Sequence, residues 1–243
     1  FHASGNFWHD GTYPPYGPAD MAELARVIST AHRHGIRVVP YFSLHELHPQ
    51  APAWRAHHRE WKRTEDGKGT ELHNYWGNGE YGAQMCLASG WREFLKTYIE
   101  RVVTTLGFDG VYFDWCVSLF CNNRRHADRD HITSEELLDL VEWTRSFLGP
   151  DRPMVIHTSG HPMLAVESLA DATLVFEEIY GPPAFLTDVP PPECFPPQCT
   201  MANHVQKLIV PSILAFQGEP ATRRFAASCM ALGVMSFLGH GAH

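Results

Sequence analysis

Residues Gly107-Phe108-Asp109-Gly110-Val111-Tyr112-Phe113-Asp114-Trp115-Cys116 decide how this chain is read. The run opens on a glycine, the residue best suited to end a helix because it has no Cβ to clash in a left-handed conformation. The apolar stretch Val111-Tyr112-Phe113 is a short strand signal, and it ends on an ionisable carboxylate, Asp114. A charge on so apolar a strand carries a large desolvation cost unless it is paired or used. In a barrel of alternating strands and helices, the C-terminal tips of the strands carry the catalytic groups. Side chains alternate along a strand, so Tyr112 shares the face of Asp114 while Val111 and Phe113 point away from it, toward helices. Asp109 lies at the other end of the strand, where a capping or pairing role is expected.

The elements around this run alternate. Asp20 to His34 reads as a helix, with Asp20 and Glu23 as a capping pair, an apolar stripe through Leu24 and Ile28, and Gly35 as its stop. A strand over Ile36–Ser43 follows. Residues 44–82 are polar, aromatic and rich in histidine, and read as one long loop after a strand. Gln84–Ala88 is a weak strand signal. Trp91 to Leu106 is the clearest helix, with Trp91, Leu95, Ile99, Val102 and Val103 on one face. Thr133 and Glu136 form a capping-box pattern that opens a helix to about Leu148. Met154–His157 reads as a strand, His161–Leu169 as a short helix, and Ala172–Ile179 as a strand that ends on Glu177 and Glu178. A proline-rich loop over 181–200, a strand over Ile209–Phe216 and a helix over Ala221–Leu232 complete the order.

Strands alternating with helices imply βαβ units and a parallel sheet. Long loops after strands, and acidic groups at two strand tips, favour a (β/α)8 TIM-type barrel over an open doubly wound sheet. No G-x-G-x-x-G or P-loop pattern supports a nucleotide fold. The expectation is a single catalytic barrel over residues 1–243, lacking part of one or both ends and belonging to a longer chain.

The 243 residues are 44% hydrophobic and 12% aromatic, enough for a real core, and carry a formal charge of −8. No basic stripe is present to neutralise phosphates, so nucleic acid is not an expected partner. No apolar run is long enough to span a membrane. The six cysteines include the spacings Cys116-x4-Cys121 and Cys194-x4-Cys199, which are not the tight pairs of zinc sites, and free thiols are expected. His157-x3-His161 and His45-x2-His48 fit no established metal motif, so no metal ligand and no cofactor is expected. His157, at a strand tip, fits a hydrogen-bond donor to a substrate hydroxyl or to a carboxylate.

The acidic balance is compatible with a neutral substrate such as a sugar, and the aromatic-rich strand-tip face suits carbohydrate. Glycoside hydrolysis needs two carboxylates, about 5 Å apart for retention and further apart for inversion. Asp114 supplies one. Glu177 and Glu178 are adjacent, so only one of them can point inward as the other. Rings stack on the apolar faces of sugars, which singles out Trp8, Tyr41, Tyr112, Trp115 and Tyr180. His45, Glu46, Cys86 and His157 complete the set expected to face substrate. Two other functions fit the same residues: a catalytically inactive barrel that binds carbohydrate, and a metal-dependent hydrolase using the His-rich face.

The run from Gly107 to Cys116 resembles the fourth barrel strand of α-galactosidase-like and α-fucosidase-like glycoside hydrolases. Asp20 to Leu24 with Ala31 to Val38 is similar to their step from helix to second strand, and Met85-Cys86-Leu87 to their third strand. The resemblance implies a TIM-barrel glycosidase that acts on carbohydrate and needs no cofactor, with Asp114 as nucleophile and the acid/base at the tip of strand six, at Glu177 or Glu178. Tyr112 stands where the α-galactosidases carry lysine, and glutamate stands where they carry an aspartate acid/base.

Overall fold

The computed structural model describes residues 18–47, 51–64, 72–75, 80–158, 163–175, 208–213 and 237–238, with single positions between 223 and 231. In chain order the elements are α1 (Pro18–Arg33), β1 (Tyr41–Ser43), β2 (Glu46–Leu47), α2 (Pro52–Trp61), β3 (Leu72–Tyr75), β4 (Glu80–Gln84), α3 (Trp91–Leu106) and β5 (Val111–Asp114). They continue with β6 (Phe120–Cys121), β7 (His131–Ile132), α4 (Ser134–Leu148), β8 (Met154–His157), α5 (Leu164–Glu167), β9 (Ala172–Val175), β10 (Leu208–Ile213) and β11 (Phe237–Leu238). The chain divides into two units, one of Phe1–Phe113 with Ser118–Pro153, the other of Asp114–Val117 with Met154–His243.

In the first unit α3 contacts both α1 and α4. The stripe read from the sequence is the buried face of α3: Trp91, Leu95, Ile99, Val102 and Val103 are all at most 3% exposed. The Trp91 indole N–H donates to the Leu44 carbonyl at 2.8 Å. Gly107 ends the helix in the left-handed conformation, φ 76°. Strand β1 lies beside β5 in the sheet. On β5, Val111 and Phe113 are fully buried and Tyr112 is half-buried, the expected alternation.

Gly110, just before β5, has a positional reason. The Val111 N–H donates to the Pro153 carbonyl at 3.0 Å, and a Cβ on Gly110 would sit 1.9 Å from that carbonyl oxygen.

Asp109 is structural. Its Oδ2 accepts the Val38 N–H at 2.7 Å and the His32 Nε2–H at 2.9 Å, which fastens the entry to β5 onto the approach to β1. Burial raises the Asp109 pKa, but these two bonds and the nearby His32 and Arg37 outweigh it, so the carboxyl titrates below its ordinary range. A depressed folded-state pKa contributes stability above the unfolded pKa, and that contribution is lost as pH falls through the folded value. Asp109→Asn is therefore expected to unfold at a lower temperature than wild type at neutral pH. The gap should close below about pH 4, where the unfolded aspartate is itself protonated. Thermal melts across pH measure this, and a gap that persists unchanged in acid would contradict it.

Four expectations need correction. Residues 44–82 are not one loop: they contain α2 and a three-stranded sheet in the order β2-β4-β3, antiparallel throughout. Gln84 closes β4 in that sheet, so the segment read as a third parallel strand begins in an antiparallel one. Extended structure over Ile36–Ser43 narrows to β1, since residues 36–40 form no strand. Thr133 stands at the N-cap of α4 without a side-chain cap bond. Its hydroxyl instead bridges Leu119, accepting that residue's N–H at 3.1 Å and donating to its carbonyl at 3.2 Å.

The second unit is built on a parallel sheet. β8 pairs with β9, β9 with β10 and β10 with β11, all parallel, with Val155 opposite Ala172 and Leu174 opposite Val210. Asp171 starts β9 by accepting the Met154 N–H at 2.7 Å and donating its own N–H to the Met154 carbonyl at 2.8 Å. All four residues of β9 are buried.

Candidate active site at the tips of β5 and β8

Asp114, the last residue of β5, belongs to the second unit. Its Oδ1 accepts the Nδ1–H of His157, the last residue of β8, at 2.8 Å. The histidine side chain is fully buried, while the Asp114 side chain is 21% exposed. The imidazole thus orients a carboxylate that solvent and ligands can still reach. A second bond ties the same strand ends, from the Cys116 N–H to the His157 carbonyl at 2.7 Å.

The intervening residue, Trp115, has φ 50°. For a bulky non-glycine residue the left-handed region costs about 1–3 kcal/mol and persists only where the surroundings impose it. Here the Val117 N–H donates back to the Trp115 carbonyl at 2.9 Å, closing a tight turn directly after the carboxylate. Strain of this kind gathers at functional sites.

Cys116, the central residue of this turn, is fully buried. Burial first, and then the negative charges of Asp114 and Glu167, push its thiol pKa upward, so it is a protonated packing residue and not a nucleophile. Glu167 is a buried carboxylate that sequence reading passed over. Its Oε1 accepts the Met163 N–H at 2.9 Å, which anchors the start of α5. The signal available in the sequence, an acidic residue four positions after Met163, is too common to single it out.

Of the other expected site residues, those in the first unit are placed as follows. Tyr41 and Tyr112 lie half-buried with ring centroids 5.6 Å apart. His45 and Glu46 are buried, and a Glu46 oxygen accepts the Ser43 hydroxyl at 3.2 Å. Cys86 is buried, with its sulfur within 4.8 Å of the Cys121 sulfur and of a ring nitrogen of His131. Trp8, Glu177, Glu178 and Tyr180 lie outside the described residues. The four cysteines among the described residues are free thiols.

Residues 1–132 match the family described as a domain of unknown function (DUF6259). No curated protein matches the chain. Among solved structures, α-L-fucosidase isoenzyme 2 from Paenibacillus thiaminolyticus superposes with a TM-score of 0.66 at 14% identity, over 92% of this chain and 36% of its own. The α-N-acetylgalactosaminidase NagBb from Bifidobacterium bifidum gives 0.62 at 11% identity, over 97% and 36%. The maltogenic α-amylase AmyB from Thermotoga neapolitana gives 0.59 at 12% identity, over 90% and 50%. The chain therefore has a glycoside hydrolase-like fold and spans between about a third and a half of the length of these structures.

Proposed function

The chain belongs to the DUF6259 family, and we propose that it is a retaining glycoside hydrolase whose catalytic barrel is formed by residues 1–243. The observation that carries this reading is Asp114 itself: a reachable carboxylate at a strand tip, oriented by a buried histidine and followed by a strained turn. The His157 donor at 2.8 Å fixes the orientation of the carboxylate that would attack. An Asp114 oxygen forms a bond to the anomeric carbon as the glycosidic C–O bond breaks. Glu177 or Glu178 gives its proton to the leaving oxygen, then takes one from the water that releases the sugar. Trp115 and Tyr180 are the aromatic surfaces proposed to stack on the sugar ring. The fold shared with fucosidase, galactosaminidase and amylase structures agrees with a carbohydrate substrate.

The test is hydrolysis of aryl α- and β-glycosides of fucose, galactose, N-acetylgalactosamine and glucose, followed by capture with the matching 2-deoxy-2-fluoro glycoside. The expected outcome is cleavage of at least one substrate and a sugar adduct on the peptide bearing Asp114. Binding of oligosaccharide without cleavage of any substrate would leave a binding barrel instead.

His157 is proposed as a positioning residue. Losing the donor at Nδ1 lets the carboxylate rotate, and misplacement of about 1 Å costs on the order of 10²-fold in rate. His157→Leu is expected to lose that much kcat with little change in KM. His157→Asn, whose side-chain amide can donate from nearly the same point, should recover most of it. Equal losses in the two variants would assign His157 to packing alone.

A further inference from the structure

We propose that the first unit carries a structural zinc-class metal site formed by Cys86, Cys121 and His131, with His126 as the fourth donor. The proposal does not depend on the proposed glycosidase mechanism, which assigns no step to these residues.

The backbone brings the donors together. β6 and β7 pair antiparallel with Cys121 directly opposite His131, so both side chains leave the hairpin on one face. Cys86 follows β4, held by its own N–H on the Trp61 carbonyl at 2.8 Å. The two sulfurs and an imidazole nitrogen of His131 all lie within 4.8 Å of one another. Zinc bonds of about 2.3 Å to sulfur and 2.0 Å to nitrogen, at tetrahedral angles, require donor separations of about 3.3–3.8 Å. These three donors therefore close on a metal with small side-chain movements, and His126, whose Nδ1 lies 3.2 Å from the Cys121 sulfur, is the neighbour proposed to complete the set. Two thiolates and imidazoles are a soft set that selects zinc over calcium or magnesium.

The hydrogen bonds around the cluster suit a metal better than they suit two neutral thiols. The His131 Nδ1–H donates to the Arg129 carbonyl at 3.4 Å, which leaves a lone pair on Nε2. That Nε2 is buried and has no hydrogen-bond partner among the described residues. A buried acceptor without a donor costs about 1–3 kcal/mol, and coordination would satisfy it. His126 donates its Nε2–H to the Glu60 carbonyl and presents Nδ1 3.2 Å from the Cys121 sulfur. A carbonyl on the far ring nitrogen is the usual outer partner of a metal-ligating histidine. The Cys121 thiol also lies 3.3 Å from the Arg63 carbonyl. On metal binding both thiol protons leave to solvent, and the Arg63 carbonyl keeps the Asn122 and Asn123 N–H donors, at 3.1 and 3.2 Å. The site would join the segment after β4, the β6–β7 hairpin and the end of α2.

The experiment is metal analysis of the whole purified protein, then cobalt substitution and thermal melts with and without a chelator. One zinc per chain is expected, with a thiolate-to-cobalt charge-transfer band. At a hundredfold excess of metal over Kd the melting temperature should rise by roughly 5–10 °C. Cys86→Ser and His131→Ala should each lose the band and the shift, and the half-buried His131 keeps the test readable if the buried cysteine variant folds poorly. A disulfide joining Cys86 to Cys121 in the mapped peptides would overturn the proposal. So would two free thiols with no bound zinc, or cobalt bound without the thiolate band.

Discussion

Gly110→Ala is expected to destabilise this protein by about 3 kcal/mol or more, at the upper end of what overpacking costs. The added Cβ would lie 1.9 Å from the Pro153 carbonyl oxygen and 2.8 Å from its carbon. Both are backbone atoms, so no side chain can rotate aside. That same oxygen accepts the Val111 N–H at 3.0 Å, and relieving the clash would break the bond that starts β5. Gly107→Ala is the informative comparison. Its φ is 76°, but nothing lies within 4 Å of the added Cβ, so it should cost only the left-handed conformation, about 1–2 kcal/mol. Denaturant unfolding of the two variants separates crowding from backbone conformation. A Gly110→Ala midpoint equal to that of Gly107→Ala would show that the close approach at Pro153 yields easily.

These two glycines also mark what the sequence could reveal. Gly107 was legible, because a helix with a clean apolar stripe has to stop somewhere, and α3 runs from Trp91 to Leu106 as its periodicity predicts. The requirement at Gly110 was not, because it comes from Pro153, far along the chain. The same division holds elsewhere. α2 was missed because its residues are largely polar and only Trp61 among them is buried, so it leaves almost no stripe. β2, β3 and β4 are short, and their antiparallel pairing is set by partners and not by alternation. Thr133 had the right neighbours for a capping box, yet its hydroxyl is taken by Leu119, a contact no local pattern reports.

In the candidate site, Asp114 stood out because a charge on an apolar strand demands a reason. His157 could be read as a donor at a strand tip, but not as the donor to this carboxylate. The cluster of Cys86, Cys121 and His131 was invisible to motif spacing, since its ligands come from separate elements. Two sets of polar groups fall in different units of the chain. One is the Asp114–His157 pair in the second unit, the other the thiol and imidazole cluster in the first.

Asp114→Asn is expected to lose at least about 10³-fold in kcat/KM while unfolding close to wild type, since removing one member of a catalytic set costs that much or more. The substitution changes charge and hardly changes shape. The oxygen of the new side-chain amide could still accept the His157 Nδ1–H, so the tie between the tips of β5 and β8 would survive, whereas an amide is far too weak a nucleophile to attack the anomeric carbon. The choice of substrate then identifies the role. A missing nucleophile slows every glycoside, however good its leaving group. A missing general acid spares substrates whose leaving phenol needs no proton. Asp114→Gly sharpens the distinction, because it opens space at the anomeric carbon for an added anion. If Asp114 is the nucleophile, azide should restore turnover of an activated aryl glycoside and leave as a glycosyl azide of inverted configuration. If azide instead gives a product of retained configuration, the sugar is already attached to another residue when azide attacks, and Asp114 acts as the acid/base.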